Sequence, residues 1–279
     1  MGNDALHDNP PGGTLHISVH GSDWLWAAFS VFALSLLIVL VVSFTKPRGS
    51  RFFHQIAVIV LAVSSIAYFS MASDLGYAPA PVEFRKHGGE PTRQIWYVRY
   101  IQWVINLPLL LLELLLVTGV SASDIFTTIF VSLIFIVGGL VGSLVLSTYK
   151  WGYFTFGVAA LFYLWYVLLF YAPRSSFAAG STLRNRYYLV AGYFSFMLIT
   201  YPICWACSEG ANVISPTSEM VWYGILDLLE GPCFLFLFLW GLRDVDYKTF
   251  GLQSNKYVGF GREPTSSKAA EAGVAAETV

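Results

Sequence analysis

Long apolar stretches separated by short polar connections run along most of the chain. Seven of them reach the about 20 residues that a helix needs to cross roughly 30 Å of hydrocarbon. Their bounds are 24–44, 52–73, 94–120, 125–148, 151–173, 187–208 and 220–241. Because lipid offers no partner for a free backbone N–H or C=O, such stretches span a membrane as helices. The pattern predicts an all-α membrane protein, a bundle of seven transmembrane helices.

The spans leave short connections and no room for a second folded domain. We therefore expect three segments: an extracellular N-terminal segment over 1–22, a seven-helix transmembrane domain over 23–245, and a cytoplasmic tail over 246–279. After about residue 261 the tail is small and polar, without an apolar period. Such a composition is typical of disorder.

Composition agrees with a membrane environment. Hydrophobic residues make up 56% of the chain and charged residues 12%, about half the charge of a soluble domain. The net charge of −1 argues against nucleic acid as a partner. Three cysteines exclude a disulfide scaffold, and no metal-ligand set or catalytic set is recognisable, so the sequence predicts neither a metal site nor an enzyme.

The orientation follows from the basic residues near the span ends. Three segments on one side of the predicted bundle carry most of them: Lys46, Arg48, Arg51, Arg174, Arg184, Arg186, Arg243, Lys248 and Lys256. Cytoplasmic connections are enriched in lysine and arginine. We therefore predict an extracellular N-terminus and a cytoplasmic C-terminus.

Two spans carry nearly all the ionisable residues within the membrane. In the third, Arg99, Gln102, Asn106 and Glu113 are spaced by three, four and seven residues, which places them on one helical face. The seventh contains Asp227, with Glu230 nearby. Two interpretations remain open. In one, the residues form a polar pathway or ligand cavity in which Arg99 compensates Asp227; in the other, they form a structural network that locks the bundle.

The segment RYIQWVINLPLLLLEL, from Arg99 to Leu114, resembles the third helix of the microbial rhodopsin family. That family holds retinal on a lysine of its last helix, and further matches in all spans but the first support the resemblance. It implies a ligand pocket formed by Tyr68, Trp103, Asn106, Tyr201, Trp205, Asp227 and Gly231. It also implies an internal polar or proton path through Arg99, Gln102, Glu113, Glu209, Glu219 and Asp227.

Two departures from the family pattern bear on function. The retinal-linking lysine is expected four residues after Asp227, where this chain has Gly231, and all six lysines lie in predicted connections, span ends or tails. Gln102 stands where the family has its carboxylate counterion. Without a protonated imine, that carboxylate has no charge to balance, so the two departures are mutually consistent. A single engineered replacement at Gly231 would not explain both.

The pattern resembles the fungal opsin-related branch, which includes heat-shock proteins and typically lacks the lysine. It implies a non-photochemical, stress-related or regulatory protein with several spans in the plasma membrane and no covalently bound cofactor. Its implied partners are membrane lipids, a plasma-membrane protein and further copies of itself in a dimer or trimer. The alternative is ion or proton transport, or noncovalent binding of retinal or another lipophilic ligand. Glu113 distinguishes the two, since a carboxylate in an apolar helix has no obvious packing use.

Overall fold

Seven helices in the described part of the chain are long and apolar enough to cross a membrane. The computed structural model describes residues 3–47, 50–84, 91–175 and 180–250. The spans, numbered one to seven in chain order, are Val19–Thr45, Phe52–Ala72, Tyr97–Leu116, Ala122–Leu144, Lys150–Arg174, Gly180–Gly210 and Pro216–Gly241. The predicted seven-helix, all-α membrane architecture is confirmed.

Several span ends differ from their predicted positions because polar residues extend helices beyond the apolar stretch. The first span begins at Val19 rather than at residue 24, and the Ser18 hydroxyl caps it by accepting the Gly21 N–H at 3.2 Å. The sixth begins at Gly180 rather than at residue 187 and includes Arg184 in its first turns. An apolar pattern reports the hydrocarbon-crossing part of a helix and misses such extensions.

Three spans leave α-helical geometry along their length. The fifth consists of an α-helix at Lys150–Trp165, a π-helix at Tyr166–Tyr171 and a 3₁₀ turn at Ala172–Arg174. The sixth consists of an α-helix at Gly180–Trp205 and a π-helix at Ala206–Gly210. The seventh consists of an α-helix at Pro216–Leu228, a π-helix at Leu229–Cys233 and an α-helix at Phe234–Gly241. The last π-helix contains Pro232, whose missing N–H interrupts the helical hydrogen bonds.

A small β-hairpin lies between the second and third spans. Strands β1 (Ala78–Pro81) and β2 (Thr92–Ile95) pair antiparallel, with Ala78 opposite Ile95. Residues 94 and 95 are therefore strand, and the prediction that the third span begins at residue 94 is wrong. We call this end of the bundle the hairpin end and the opposite end the tail end.

The N-terminal segment packs on this hairpin. It contains one helical turn, Ala5–Asp8, and Leu15 forms a parallel bridge with Arg93. The Ile17 N–H donates to Oε1 of Gln94 at 2.8 Å, and Ile17 is fully buried. The segment predicted as extracellular thus covers the hairpin end, and its last four residues, 19–22, belong to the first span.

The third span is central in the bundle. Of its most apolar stretch 61% is buried, against 28% for the first and fourth spans. All four polar residues of its predicted stripe, Arg99, Gln102, Asn106 and Glu113, are buried. The stripe therefore faces the protein interior.

The chain that follows the seventh span packs against the tail end of the bundle. Residues Tyr247–Phe250 form a 3₁₀ turn, and the Tyr247 and Phe250 rings lie 5.1 and 6.0 Å from that of Phe53. The predicted tail over 246–279 therefore begins with a turn that packs against the second span. The tail from residue 251 onward, including the part expected to be disordered, lies outside the described residues, as do Arg48 and Lys86.

Candidate functional site

Asp227 is at the centre of a hydrogen-bonded cluster within the membrane. Its Oδ1 lies 3.3 Å from the Arg99 guanidinium and accepts the Tyr201 hydroxyl at 2.9 Å, while its Oδ2 accepts the Tyr68 hydroxyl at 2.8 Å. The Arg99 guanidinium also lies 3.4 Å from the Tyr223 ring centroid. The carboxylate of the seventh span is therefore matched by donors from the second, third and sixth spans, and the expected compensation by Arg99 is present as a contact.

Ser64 of the second span links the next two polar residues of the third span. Its hydroxyl oxygen accepts the Gln102 amide at 3.3 Å and the Asn106 amide at 2.9 Å. The sequence analysis missed Ser64 because one serine in an apolar span resembles a helix-packing residue. Gln102 thus contributes an amide donor where the family resemblance places a counterion.

Two carboxyl groups lie in the interior without partners. Both oxygens of Glu113 and both oxygens of Glu230 are buried and make no hydrogen bond to any described residue. Glu113 lies about 21 Å along the third span from Arg99, towards the tail end. There Tyr247 lies near it, and burial together with the Glu113 charge raises the pKa of Tyr247 to about 12. Glu113 is thus separated from the Asp227 cluster.

The remaining acidic residues of the predicted path lie at the hairpin end. Glu219 forms an ion pair with Arg93 at 2.5 Å, and Glu209 accepts the Tyr100 hydroxyl. The side chains of Arg93 and Glu219 are 2% and 1% exposed, so this pair is closed to solvent. The six path residues consequently fall into separate groups along the bundle.

Two basic residues that the sequence placed in connections are in fact buried at the hairpin end. Arg93 donates to the Ile214 carbonyl at 2.8 Å in addition to its contact with Glu219. Lys150 is 1% exposed and lies 3.6 Å from Glu83. Their partners are distant in sequence or in another connection, so no local pattern indicates this burial.

A cavity of about 60 Å³ occupies the aromatic half of the predicted pocket. Trp103, Tyr201 and Trp205 line it, together with Phe154 and Leu198. The Trp205 indole N–H donates to the Gly139 carbonyl at 3.1 Å, which fixes one wall. The other predicted pocket residues are not among those that line this cavity: Tyr68, Asn106, Asp227 and Gly231.

The space beside Gly231 is occupied by Phe32 of the first span. A Cβ atom added to Gly231 would lie 2.9 Å from Cε1 of Phe32, closer than packed carbons approach. Phe32 is fully buried, with its ring 4.7 Å from that of Tyr68. Gly231 therefore leaves no open space beside it for a larger side chain. The sequence could not show this, because no motif distinguishes Phe32 from a lipid-facing residue.

Comparison with known proteins identifies the fold family. A family model described as bacteriorhodopsin-like protein matches residues 21–244, which cover the seven spans except the first two residues of the first. The chain belongs to the bacteriorhodopsin-like family. The resemblance to microbial rhodopsins is thereby confirmed.

Three curated relatives of this bacteriorhodopsin-like protein come from fungi. Protein FDD123 of Trametes versicolor is 68% identical, over 92% of this chain and 90% of that protein. The opsin-like protein carO of Fusarium fujikuroi is 42% identical, over 90% and 84%. The 30 kDa heat shock protein of Saccharomyces cerevisiae is 36% identical, over 84% and 77%. This opsin-like membrane family therefore includes a stress-related member.

Solved structures show the same fold. The light-driven proton pump rhodopsin CsR of Coccomyxa subellipsoidea is similar with a TM-score of 0.77 and 30% identity, over 81% of this chain and 98% of that one. The seven-span architecture is thus shared with a light-driven proton pump.

Proposed function

We propose that this bacteriorhodopsin-like protein is a non-photochemical, stress-related or regulatory protein of the plasma membrane, and not an enzyme. One observation carries the proposal: residue 231 is glycine, and Phe32 fills the space that a side chain there would need. A covalent chromophore requires a lysine amine at the bundle centre to form an imine. Among the described side chains there are two lysines, Lys46 and Lys150, and they lie at opposite ends of the bundle.

The residues of this interior do not support a covalently bound retinal. Besides the missing lysine, the cavity of about 60 Å³ is far below the roughly 300 Å³ of a typical small-molecule site. Gln102, in place of a counterion, directs its amide at Ser64.

The charges of the central cluster balance without a chromophore. Asp227 has one guanidinium and two hydroxyl donors, and Arg99 in turn faces the Tyr223 ring. A protonated imine would add a positive charge beside an aspartate whose oxygens already have partners. The cluster therefore supports a structural role that fixes the second, third, sixth and seventh spans.

The stress-related part of the proposal rests on kinship. The 30 kDa heat shock protein of Saccharomyces cerevisiae is 36% identical to this protein, over 84% of the present chain.

We further propose membrane lipids and another plasma-membrane protein as partners, a dimer or trimer as the assembly, and a cytoplasmic tail end. Basic residues such as Arg174 and Arg186 at that end support the orientation.

Light-driven activity is the direct test. Vesicles that contain the purified protein and all-trans retinal should show no change in internal pH on illumination, whereas vesicles with a proton-pumping rhodopsin respond. A light-dependent pH change that is absent from protein-free vesicles would contradict the proposal.

One observation favours proton transport, the second candidate function. Glu113 is a fully buried carboxyl group without a described partner, as a proton-exchanging group would be. If it carries protons, Glu113→Gln should reduce passive proton flux in vesicles. Equal proton flux for the variant and the wild type would remove the support for transport. The related alternative, noncovalent binding of retinal or a lipid-like ligand, loses its support if no such ligand copurifies with the protein.

A further inference from the structure

A second, larger cavity lies at the tail end, away from the central cluster. Its volume is about 400 Å³, and it is bounded by the first, second and seventh spans and the segments that follow the first and seventh. This volume falls in the range of sites that hold a small molecule. Neither the central cluster nor any residue of the predicted polar path lines it.

The cavity combines an apolar outer wall with a basic end. Val42, Phe236 and Trp240 line it and are 38%, 39% and 58% exposed, on the surface that faces the membrane. Lys46 and Arg243 line it where the first and seventh spans end. A lipid presents this same combination, with acyl chains next to a charged headgroup.

His54 gives an independent indication of a ligand. It lines the cavity, is only 5% exposed, and its Nδ1 makes no hydrogen bond to a described residue. Buried polar atoms in proteins are normally paired. His54 is therefore a buried polar side chain beside the cavity whose ring nitrogen has no described partner.

The charges around the cavity favour an anionic occupant. No carboxylate is among the described residues that line it, whereas Lys46, Arg243 and His54 are. Asp244 lies 3.3 Å from Arg243 but also 3.2 Å from Arg186, so it is shared between two guanidinium groups. Lys46 makes no ion pair with a described residue.

We propose that this cavity binds one anionic phospholipid, with the phosphate near Lys46, Arg243 and His54 and an acyl chain along Val42, Phe236 and Trp240. Basic pockets between transmembrane helices hold such headgroups, and each basic residue near the membrane surface contributes about 1 kcal/mol, or about fivefold in affinity. The site is distinct from the proposed stress-related function and does not depend on it.

Native mass spectrometry of the delipidated, full-length protein tests the site. Titration with phosphatidylserine should show one lipid bound at least ten times more tightly than phosphatidylcholine. Lys46→Gln and Arg243→Gln should each weaken this binding by about fivefold. Arg174→Gln removes an exposed positive charge at the same end but outside the cavity, and it should leave the binding unchanged.

The role of His54 is tested separately. His54→Phe should weaken phosphatidylserine binding, while His54→Gln, which keeps a hydrogen-bonding group, should weaken it less. The unfolding midpoint of each variant identifies any loss that arises from misfolding.

Several results would overturn the proposal. One is equal affinity for phosphatidylserine and phosphatidylcholine. Another is an equal effect of Arg243→Gln and Arg174→Gln on the binding of phosphatidylserine. Complete displacement of the lipid by millimolar inorganic phosphate would assign the site to a soluble anion instead. A photo-cross-linking amino acid at position 50, on the cavity wall, should label phosphatidylserine, and labelling of residues 251–279 would show that the tail occupies the cavity.

Discussion

The ion pair between Arg99 and Asp227 should contribute strongly and non-additively to stability. The two side chains are 7% and 1% exposed, and their charged atoms lie 3.3 Å apart. Removing one partner of a buried pair costs about 3–5 kcal/mol, because the other charge is left uncompensated. Asp227 retains two tyrosine hydroxyls after Arg99→Gln, so we expect a loss near the lower limit, about 3 kcal/mol.

The reverse change, Asp227→Asn, should cost a similar amount. Arg99 then loses its carboxylate partner and keeps its contacts with aromatic rings, the closest being Tyr223 at 3.4 Å from the ring centroid. A cation–π contact of this kind contributes about 2 kcal/mol when desolvated. The double variant leaves no unpaired charge, so its loss should be about 4 kcal/mol, which corresponds to a coupling of about 2 kcal/mol.

Unfolding by sodium dodecyl sulfate in mixed micelles measures these free energies. Arg174→Gln, at an exposed arginine outside both the cluster and the tail-end cavity, is the control and should change stability by less than about 0.5 kcal/mol. Single-variant losses that add to the double-variant loss within about 0.5 kcal/mol would refute the coupling.

Three further predictions concern single residues. Glu113→Leu should stabilise the protein by about 1–3 kcal/mol, since it removes an unpaired buried carboxyl group; a loss of stability in the same unfolding assay would show that the carboxyl has a partner. Gly231→Ala should destabilise the protein by about 1–2 kcal/mol, because the added methyl group would lie 2.9 Å from Phe32. The loss should be smaller in a Phe32→Leu background, and equal losses in both backgrounds would contradict the contact. Burial raises the pKa of Asp74 above its usual value, despite the hydrogen bond from Gln94, so the folded state holds its proton to higher pH and stability falls as pH rises through that pKa. Asp74→Asn should therefore be more stable than the wild type at pH 8 but not at pH 3, and a difference that does not depend on pH would disprove this assignment.

The sequence alone was sufficient to predict the seven spans and the pairing of Arg99 with Asp227. Seven stretches of apolar residues can satisfy their backbone in lipid only as helices, so the architecture follows from composition and length. Arg99 and Asp227 are ionisable groups in apolar spans, and such groups face the bundle interior, where few partners exist. Their contact at 3.3 Å is the arrangement that this argument favours.

Other features depend on contacts that no local pattern encodes. Phe32 approaches Gly231 only because the first and seventh spans pack together, and a phenylalanine in a span is equally compatible with a lipid-facing position. Arg93 is buried because Glu219, 126 residues further along the chain, pairs with it. Gln94 and Ile95 continue into an apolar stretch, which conceals the strand that precedes the third span.

Covalent trapping of retinal tests the central claim most directly. The purified protein is incubated with all-trans retinal, reduced with borohydride and examined by absorption spectroscopy and intact-mass analysis, with a retinal-binding rhodopsin as the positive control. We predict no red-shifted visible band and no retinyl adduct within the bundle, since residue 231 is glycine and Phe32 occupies the adjacent space. A red-shifted band together with a reducible retinyl adduct on the wild-type chain would contradict the account.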